Sequence, residues 1–299
     1  MRLIDSHAHL QADEFLWDLA SVVGCAREAG VERILVPGWD ARSSAAAVSL
    51  AGEWGMDAAA GAHPHDAAQV TDTDWAAIVE LARGPVVVAI GETGLDYDRL
   101  HSPPAAQLAN LRRHLRLALE TGKPAILHCR SAVGKRDAQD ALIAELRIAG
   151  FGGAARRDVF GDRPPAVLHS FSGPVDYAEA ALEMGLAIAF GGLVFRTGEE
   201  ASAAAARLVP LDRLLIETDA PYLAPPGVPR HKPAPGVRSA EAPSPGTDAS
   251  ARFRGRRNAP EWVRITADWL AKQRGESADS IGEGLVAAYD ATFQSRLRD

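Results

Sequence analysis

Short apolar runs alternate with longer amphipathic stretches along the chain, and this alternation limits the architecture more than any single residue does. The apolar runs predict strands at about 2–5, 32–36, 57–61, 86–90, 124–128, 165–169, 186–190 and 214–218. Helical patterns lie between them, for example over 105–121 and 135–149. In the first of these, Leu108, Leu111, Leu115 and Leu119 recur at helical spacing, Gly122 is placed to end the helix, and Pro124 opens the next strand. Runs such as Val86-Val87-Val88-Ala89-Ile90 are apolar on both faces, as a parallel sheet covered by helices on both sides requires. About eight strand–helix units in succession predict an α/β fold of the (β/α)₈ barrel (TIM barrel) type. A doubly wound open sheet is the rival, but no glycine-rich phosphate loop follows the first strand.

The 299 residues fit one such barrel with extensions, so the expectation is a single domain over 1–299. Hydrophobic residues make up 47% of the chain, enough for a large core. Two segments break the rhythm. Residues 150–164 are rich in Gly and Arg and read as an extended loop insertion. Residues 224–253 are rich in Pro, Ala, Ser and Gly and read as a second, flexible insertion. Helical patterns at about 259–274 and 278–296 would pack on the outside or base of the barrel. The formal net charge of -7 argues against binding nucleic acid through a broad basic surface, yet leaves room for a nuclease whose bound cations meet the phosphate. Cys25 and Cys129 give no disulfide framework, no apolar stretch is long enough to span a membrane, and the first residues enter a strand directly. A cytoplasmic setting is the default expectation.

The reactive side chains gather where strands end. The first strand runs into His7-Ala8-His9, whose two imidazoles at i and i+2 project to the same side. Glu92 follows the fourth strand, His128 the fifth, His169 the sixth and Asp219 the eighth. In a barrel these ends share one face, the face that carries the chemistry. Four imidazoles and two carboxylates without thiolates suit a catalytic pair of divalent cations better than a structural zinc. Glu92 falls between the two histidine pairs in strand order and is the natural shared ligand. Any one of these residues alone could be incidental: a structural histidine, a turn aspartate before Ala220-Pro221, a solvated loop glutamate. Coincidence at six positions on five strand ends is a much weaker account.

Taken together, Ile4-Asp5-Ser6-His7-Ala8-His9-Leu10, Gly61-Ala62-His63-Pro64-His65, Gly91-Glu92-Thr93-Gly94-Leu95-Asp96-Tyr97, His128-Cys129-Arg130, Leu168-His169-Ser170-Phe171-Ser172-Gly173, Leu215-Ile216-Glu217-Thr218-Asp219-Ala220-Pro221-Tyr222-Leu223 and Arg254-Gly255-Arg256-Arg257-Asn258 resemble the TatD family of metal-dependent deoxyribonucleases, within the amidohydrolase-like barrel superfamily. The resemblance runs from residue 1 to about 296, apart from the two insertions. It implies a first metal on His7, His9, Glu92 and Asp219, a second on His128 and His169 with Glu92 shared, and Asp219 as general base. It also implies a DNA substrate cut at phosphodiester bonds, often from an end of a single strand, in the 3'-5' exonuclease manner. Ser131, Leu111, His114, Ala259 and Asp290 depart from the family's usual pattern, and none is among the six proposed ligands.

Other residues on the same face have weaker readings. His63 could contact a phosphate or a nearby carboxylate, or could belong to a turn built on Pro64. Arg130 could bind a phosphate with its planar fork or form a loop salt bridge. Glu217 could fix the tautomer of a histidine ligand. Arg252, Arg254, Arg256 and Arg257 could follow a nucleic-acid backbone, although a solvated charge run is the commoner outcome. Mg2+, Mn2+ and Zn2+ all suit this donor set. A small amide, lactone or phosphoester is the alternative substrate, because fold and metal set alone do not decide which bond is cut. No protein partner and no membrane partner is readable.

Overall fold

The computed structural model describes residues 1–229 and 256–294. Eight parallel strands stand in sequence order around one sheet: β1 (Leu3–Asp5), β2 (Val31–Pro37), β3 (Asp57–Ala60), β4 (Val87–Asp96), β5 (Ala125–Arg130), β6 (Ala166–Leu168), β7 (Ala187–Phe190) and β8 (Leu214–Ile216). The seam between β8 and β1 is drawn together by a parallel bridge, Ala8 to Ala220, and by the Ser6 N–H donating to the Ile216 carbonyl at 3.0 Å. The result is the expected (β/α)₈ barrel. The helices between strands are α1 (Leu19–Glu28), α2 (Ala41–Trp54), α3 (Asp72–Arg83), α4 (Pro104–Thr121), α5 (Asp137–Ile148), α6 (Ala154–Phe160), α7 (Val175–Glu183) and α8 (Glu200–Leu208). Among the described residues, two more follow the last strand, α9 (Val263–Arg274) and α10 (Ala278–Phe293).

Local chemistry sets these boundaries. Asp40 caps α2 by accepting from the Ser43 N–H at 2.6 Å, and Thr71 with Asp74 forms a reciprocal capping box on α3. Gly122 ends α4 in the left-handed conformation, at φ 66°, where a side chain would be strained. Helix α10 lies under the barrel against β1 and β8, and the Tyr289 hydroxyl donates to the Asp57 carboxylate at 3.0 Å.

Two sequence expectations need correction. The segment 150–164 is not an extended loop, because α6 occupies Ala154–Phe160 and buries Phe160 against Phe151. Ala154-Ala155-Arg156-Arg157 favours a helix strongly enough to outweigh the flanking glycines. Strand β4 does not stop near residue 90 but continues to Asp96. Its register shifts between Ile90 and Thr93, and Gly94 lies so close to the next strand that a Cβ there would collide with the His128 carbonyl. Glycine reads as a breaker in sequence, but here it permits the close approach. Of the expected insertion at 224–253, residues 230–253 lie outside the described residues.

Candidate metal centre

All six residues singled out at strand ends converge at the C-terminal mouth of the barrel. Glu92 is at the centre, 3% exposed, and its two carboxylate oxygens face different partners. Oε2 lies 3.3 Å from His7 Nε2 and 3.7 Å from His9 Nε2. Oε1 lies 3.2 Å from His128 Nδ1, 3.5 Å from His169 Nε2 and 3.3 Å from His63 Nε2. Asp219 Oδ1 closes the Oε2 side, 3.5 Å from His9 Nε2 and 3.9 Å from His7 Nε2. His7 spans both sides: its ring stacks on His169 with centroids 3.7 Å apart, and its Nε2 is 3.1 Å from His9 Nε2.

Contacts around the edge of the cluster fix which ring nitrogen carries the proton. A backbone carbonyl can only accept, so His9 Nδ1, 3.2 Å from the Pro37 carbonyl, is a donor, and Nε2 is the nitrogen that faces the centre. His169 Nδ1 lies 2.8 Å from Glu217 Oε1, which leaves Nε2 directed at Glu92. His63 is reversed. Its Nδ1 accepts the His65 backbone N–H at 3.1 Å, so the proton is on Nε2 and points at Glu92 Oε1. By distance His63 groups with Glu92 and His128 as a possible ligand, but its tautomer makes it a hydrogen-bond donor to the shared carboxylate. His128 lies between two acceptors, with Nδ1 toward Glu92 and Nε2 3.2 Å from Asp96 Oδ2. A neutral imidazole can donate to only one of them, and a cation on the Glu92 side removes the conflict.

Electrostatics agree with that fit. Burial alone would raise the Glu92 pKa, but the imidazoles of His63, His169 and His7 around it hold its carboxyl well below the usual carboxylate range. Burial and the neighbouring His169 push His7 down. Burial pushes His63 down to about 4 despite Glu92. Burial also opposes charge on His169, yet Glu217 and Glu92 raise it to about 10, and Asp219 and Glu92 raise His9 in the same way. Asp219 is lowered by His9, His169 and His7, against its own burial. Anionic carboxylates and crowded imidazoles form a donor set that suits divalent cations, and a cation would take the place of the protons that the carboxylates draw onto His169 and His9.

Sequence reasoning left some participants unassigned. Asp96 is fully buried, and its Oδ2 lies 2.8 Å from His65 Nε2 as well as against His128. It lies in the Gly91-to-Tyr97 motif but beyond residue 90, where the apolar run predicts that the strand ends. Asp5 accepts from the Thr218 N–H at 2.9 Å and from the Thr218 hydroxyl at 2.5 Å, joining the β1 end to the β8 end. Asn258 donates from Nδ2 to the Thr218 carbonyl at 2.7 Å. Asp219, at φ 56°, is therefore held from both sides, and its own N–H donates to the His7 carbonyl at 2.9 Å. Glu217 does contact a histidine, as anticipated. Arg130 comes within 3.6 Å of Asp96 and remains partly exposed. Of the basic run, Arg257 is fixed by Asp18 at 2.6 and 2.8 Å, by the Glu14 carbonyl and by the ring of Phe15, so it acts as a fastener. Arg256 is exposed, while Arg252 and Arg254 lie outside the described residues.

A family model described as TatD related DNase matches residues 4–294. The chain belongs to the TatD family. Among curated relatives, the 3'-5' ssDNA/RNA exonuclease TatD of Escherichia coli (strain K12) is 35% identical over 297 residues, 98% of each chain. The uncharacterized metal-dependent hydrolase YabD of Bacillus subtilis (strain 168) is 32% identical over 280 residues, covering 93% of this chain and 94% of that one. Among solved structures, the TatD homolog YJJV of Escherichia coli superimposes with a TM-score of 0.79 at 27% identity, covering 99% of both chains. As a TatD-family member the chain is a metal-dependent hydrolase of the nuclease type, acting on ester bonds. No helix among the described residues is long and apolar enough to cross a membrane.

Proposed function

We propose that this TatD-family hydrolase removes nucleotides from an end of single-stranded nucleic acid, in the 3'-5' direction, with two divalent cations that Glu92 would help to hold. The observation that carries this reading is the division of the Glu92 oxygens, Oε2 toward His7 and His9, Oε1 toward His128 and His169. His7, His9 and Asp219 would hold one cation and His128 and His169 the other, drawn from Mg2+, Mn2+ or Zn2+. When bound, such a pair neutralises charge on the phosphate and makes a water acidic enough to lose its proton near neutral pH.

The chain's own residues do the rest. Asp219, 15% exposed in its side chain, is turned to the opening of the mouth and accepts the proton of the attacking water. His63, through its Nε2–H, keeps the Glu92 carboxylate oriented. Arg130, at the rim beside Asp96, meets a phosphate oxygen and helps align the scissile group. Asp96 and Glu217 hold the rings of His128 and His169 by their outer nitrogens. A small amide or lactone substrate is not favoured, given the family matched and the exonuclease name of a relative 35% identical.

The test is turnover of end-labelled single- and double-stranded DNA with Mg2+, Mn2+ and Zn2+ in turn, with chelator as the blank. Stepwise shortening of the single strand is expected. Asp219→Asn should fold normally and lose about 10²–10⁴-fold in kcat. Near-normal turnover by that variant would remove the general-base role.

A further inference from the structure

Asp219 follows β8 with φ at 56°, in the left-handed region. A residue with a side chain stays there only where its surroundings hold it, and such positions gather at reactive sites. Two peptide groups flank Asp219, each with one donor and one acceptor, and all four are bonded. In the first, the Thr218 carbonyl accepts from Asn258 Nδ2 at 2.7 Å, and the Asp219 N–H donates to the His7 carbonyl at 2.9 Å. In the second, the Asp219 carbonyl accepts the Tyr222 N–H at 2.8 Å, and the Ala220 N–H donates to Thr218 Oγ1 at 3.2 Å. The backbone is therefore fixed on both sides of the Asp219 Cα, and with it the direction in which the carboxylate leaves the chain.

Two of these four bonds come from side chains. The Thr218 hydroxyl donates to Asp5 Oδ2 at 2.5 Å while the Thr218 N–H donates to Asp5 Oδ1 at 2.9 Å, so Asp5 sets the rotamer that receives Ala220. Asn258 lies forty residues beyond Thr218 in the chain and is itself secured. Its N–H donates to the Pro221 carbonyl at 3.0 Å, and its Oδ1 accepts the Ala259 N–H at 3.0 Å, which turns Nδ2 toward Thr218. The adjoining Arg257 is bound by Asp18. Asp5, Thr218 and Asn258 are 0%, 2% and 1% exposed, so none of them meets substrate directly.

We propose that Asn258 and the Asp5–Thr218 pair are positioning residues, which aim the Asp219 carboxylate at the attacking water by fixing the peptide groups on either side of it. This rests on Asp219 being the proton acceptor, as proposed above, and adds what makes it effective. A misplacement of about 1 Å at the reacting atoms costs up to about 10²-fold in rate. Asp219 Oδ1 lies 3.5 Å from His9 Nε2 and 3.9 Å from His7 Nε2, so a turn of its backbone would swing it away from the rest of the donor set. Loss of either side-chain bond frees one end of a peptide group and loosens the aim, while the substrate-facing surface stays as it was.

The test uses Thr218→Val, which keeps the shape and removes the hydroxyl, Thr218→Ser, which keeps the hydroxyl, and Asn258→Ala. On end-labelled single-stranded DNA with saturating Mn2+, Thr218→Val and Asn258→Ala should each lose about 10–100-fold in kcat, with KM within about twofold of wild type. Thr218→Ser should recover kcat to within about threefold of wild type. Added to Asp219→Asn, neither Thr218→Val nor Asn258→Ala should cost more than about twofold further, because the group they aim is already gone. In metal-free protein, hydrogen–deuterium exchange over residues 217–222 should quicken about 10-fold in Thr218→Val and Asn258→Ala while β5 keeps its wild-type protection. Unchanged kcat, unchanged exchange, or the same kcat loss with and without the Asp219 carboxylate would overturn the aiming role. With Asp219→Asn strongly impaired, such a failure would concern the positioning residues alone. Near-normal turnover by Asp219→Asn would instead remove the proton acceptor itself, and the aiming role with it.

Discussion

At the scale of single residues, the centre depends on which nitrogen of each imidazole faces inward. His9 and His169 face Glu92 with Nε2 because Pro37 and Glu217 lie at their outer nitrogens, while His63 turns its Nε2–H inward. The two kinds of neighbour should therefore behave differently when removed. Glu92→Gln deletes the shared negative charge, and about half the bound metal should be lost along with more than 10²-fold of turnover. His63→Ala deletes only a hydrogen bond to that carboxylate, so the metal content should hold while kcat falls about 10-fold or less. Metal analysis of the two purified variants decides it, and loss of metal from His63→Ala would make His63 a ligand.

At the scale of elements, helix α4 shows how a buried histidine holds a loop in place. His114 Nδ1–H donates to the Asn110 carbonyl at 2.7 Å, and Nε2 accepts the Ala62 N–H at 3.0 Å, one residue before His63. Both nitrogens are used by the neutral ring, and burial pushes its pKa down to about 3. The unfolded chain takes up this proton near the ordinary value of 6.5. Between those limits the unfolded state binds more protons, so stability falls as pH drops through the window, by about 2 kcal/mol at pH 5 from this group. Denaturant midpoints at pH 7 and pH 5 should separate more for wild type than for His114→Gln, and an equal separation would exclude the role. Elements also explain what could be read in advance. Strand ends carrying His7, His9, His128 and His169 were legible because apolar runs stop abruptly before polar donors. Asp96 was not, since β4 passes through two glycines that look like an ending. Asn258 and His114 act through hydrogen bonds to distant backbone, which leave no periodic trace in sequence.

At the scale of the whole molecule, metal held by the proposed ligands would join regions that are far apart in the chain, so it should stabilise the native barrel as a unit. A cation present at a hundred times its dissociation constant contributes about 2.7 kcal/mol, a rise of roughly 5 °C in Tm for a chain of this size. Scanning calorimetry with chelator and then with added Mn2+ measures this, and an unchanged Tm would mean that the mouth binds no metal. The barrel was predictable because strand–helix alternation persists through all eight units, whereas α6 was hidden by glycines at its flanks.

The parallel bridge between Ala8 and Ala220 closes the barrel beside the residue that completes the donor set. Five of the six donors are encoded before residue 170 and could be presented by a growing polypeptide still missing its final strand. Asp219 arrives last, and the hydrogen bond from its amide to the His7 carbonyl forms only when the two ends of the sheet meet. On the proposed reading of Asp219, a partly synthesised or truncated chain would lack its proton acceptor, and cutting power would be withheld until the ring of strands is complete.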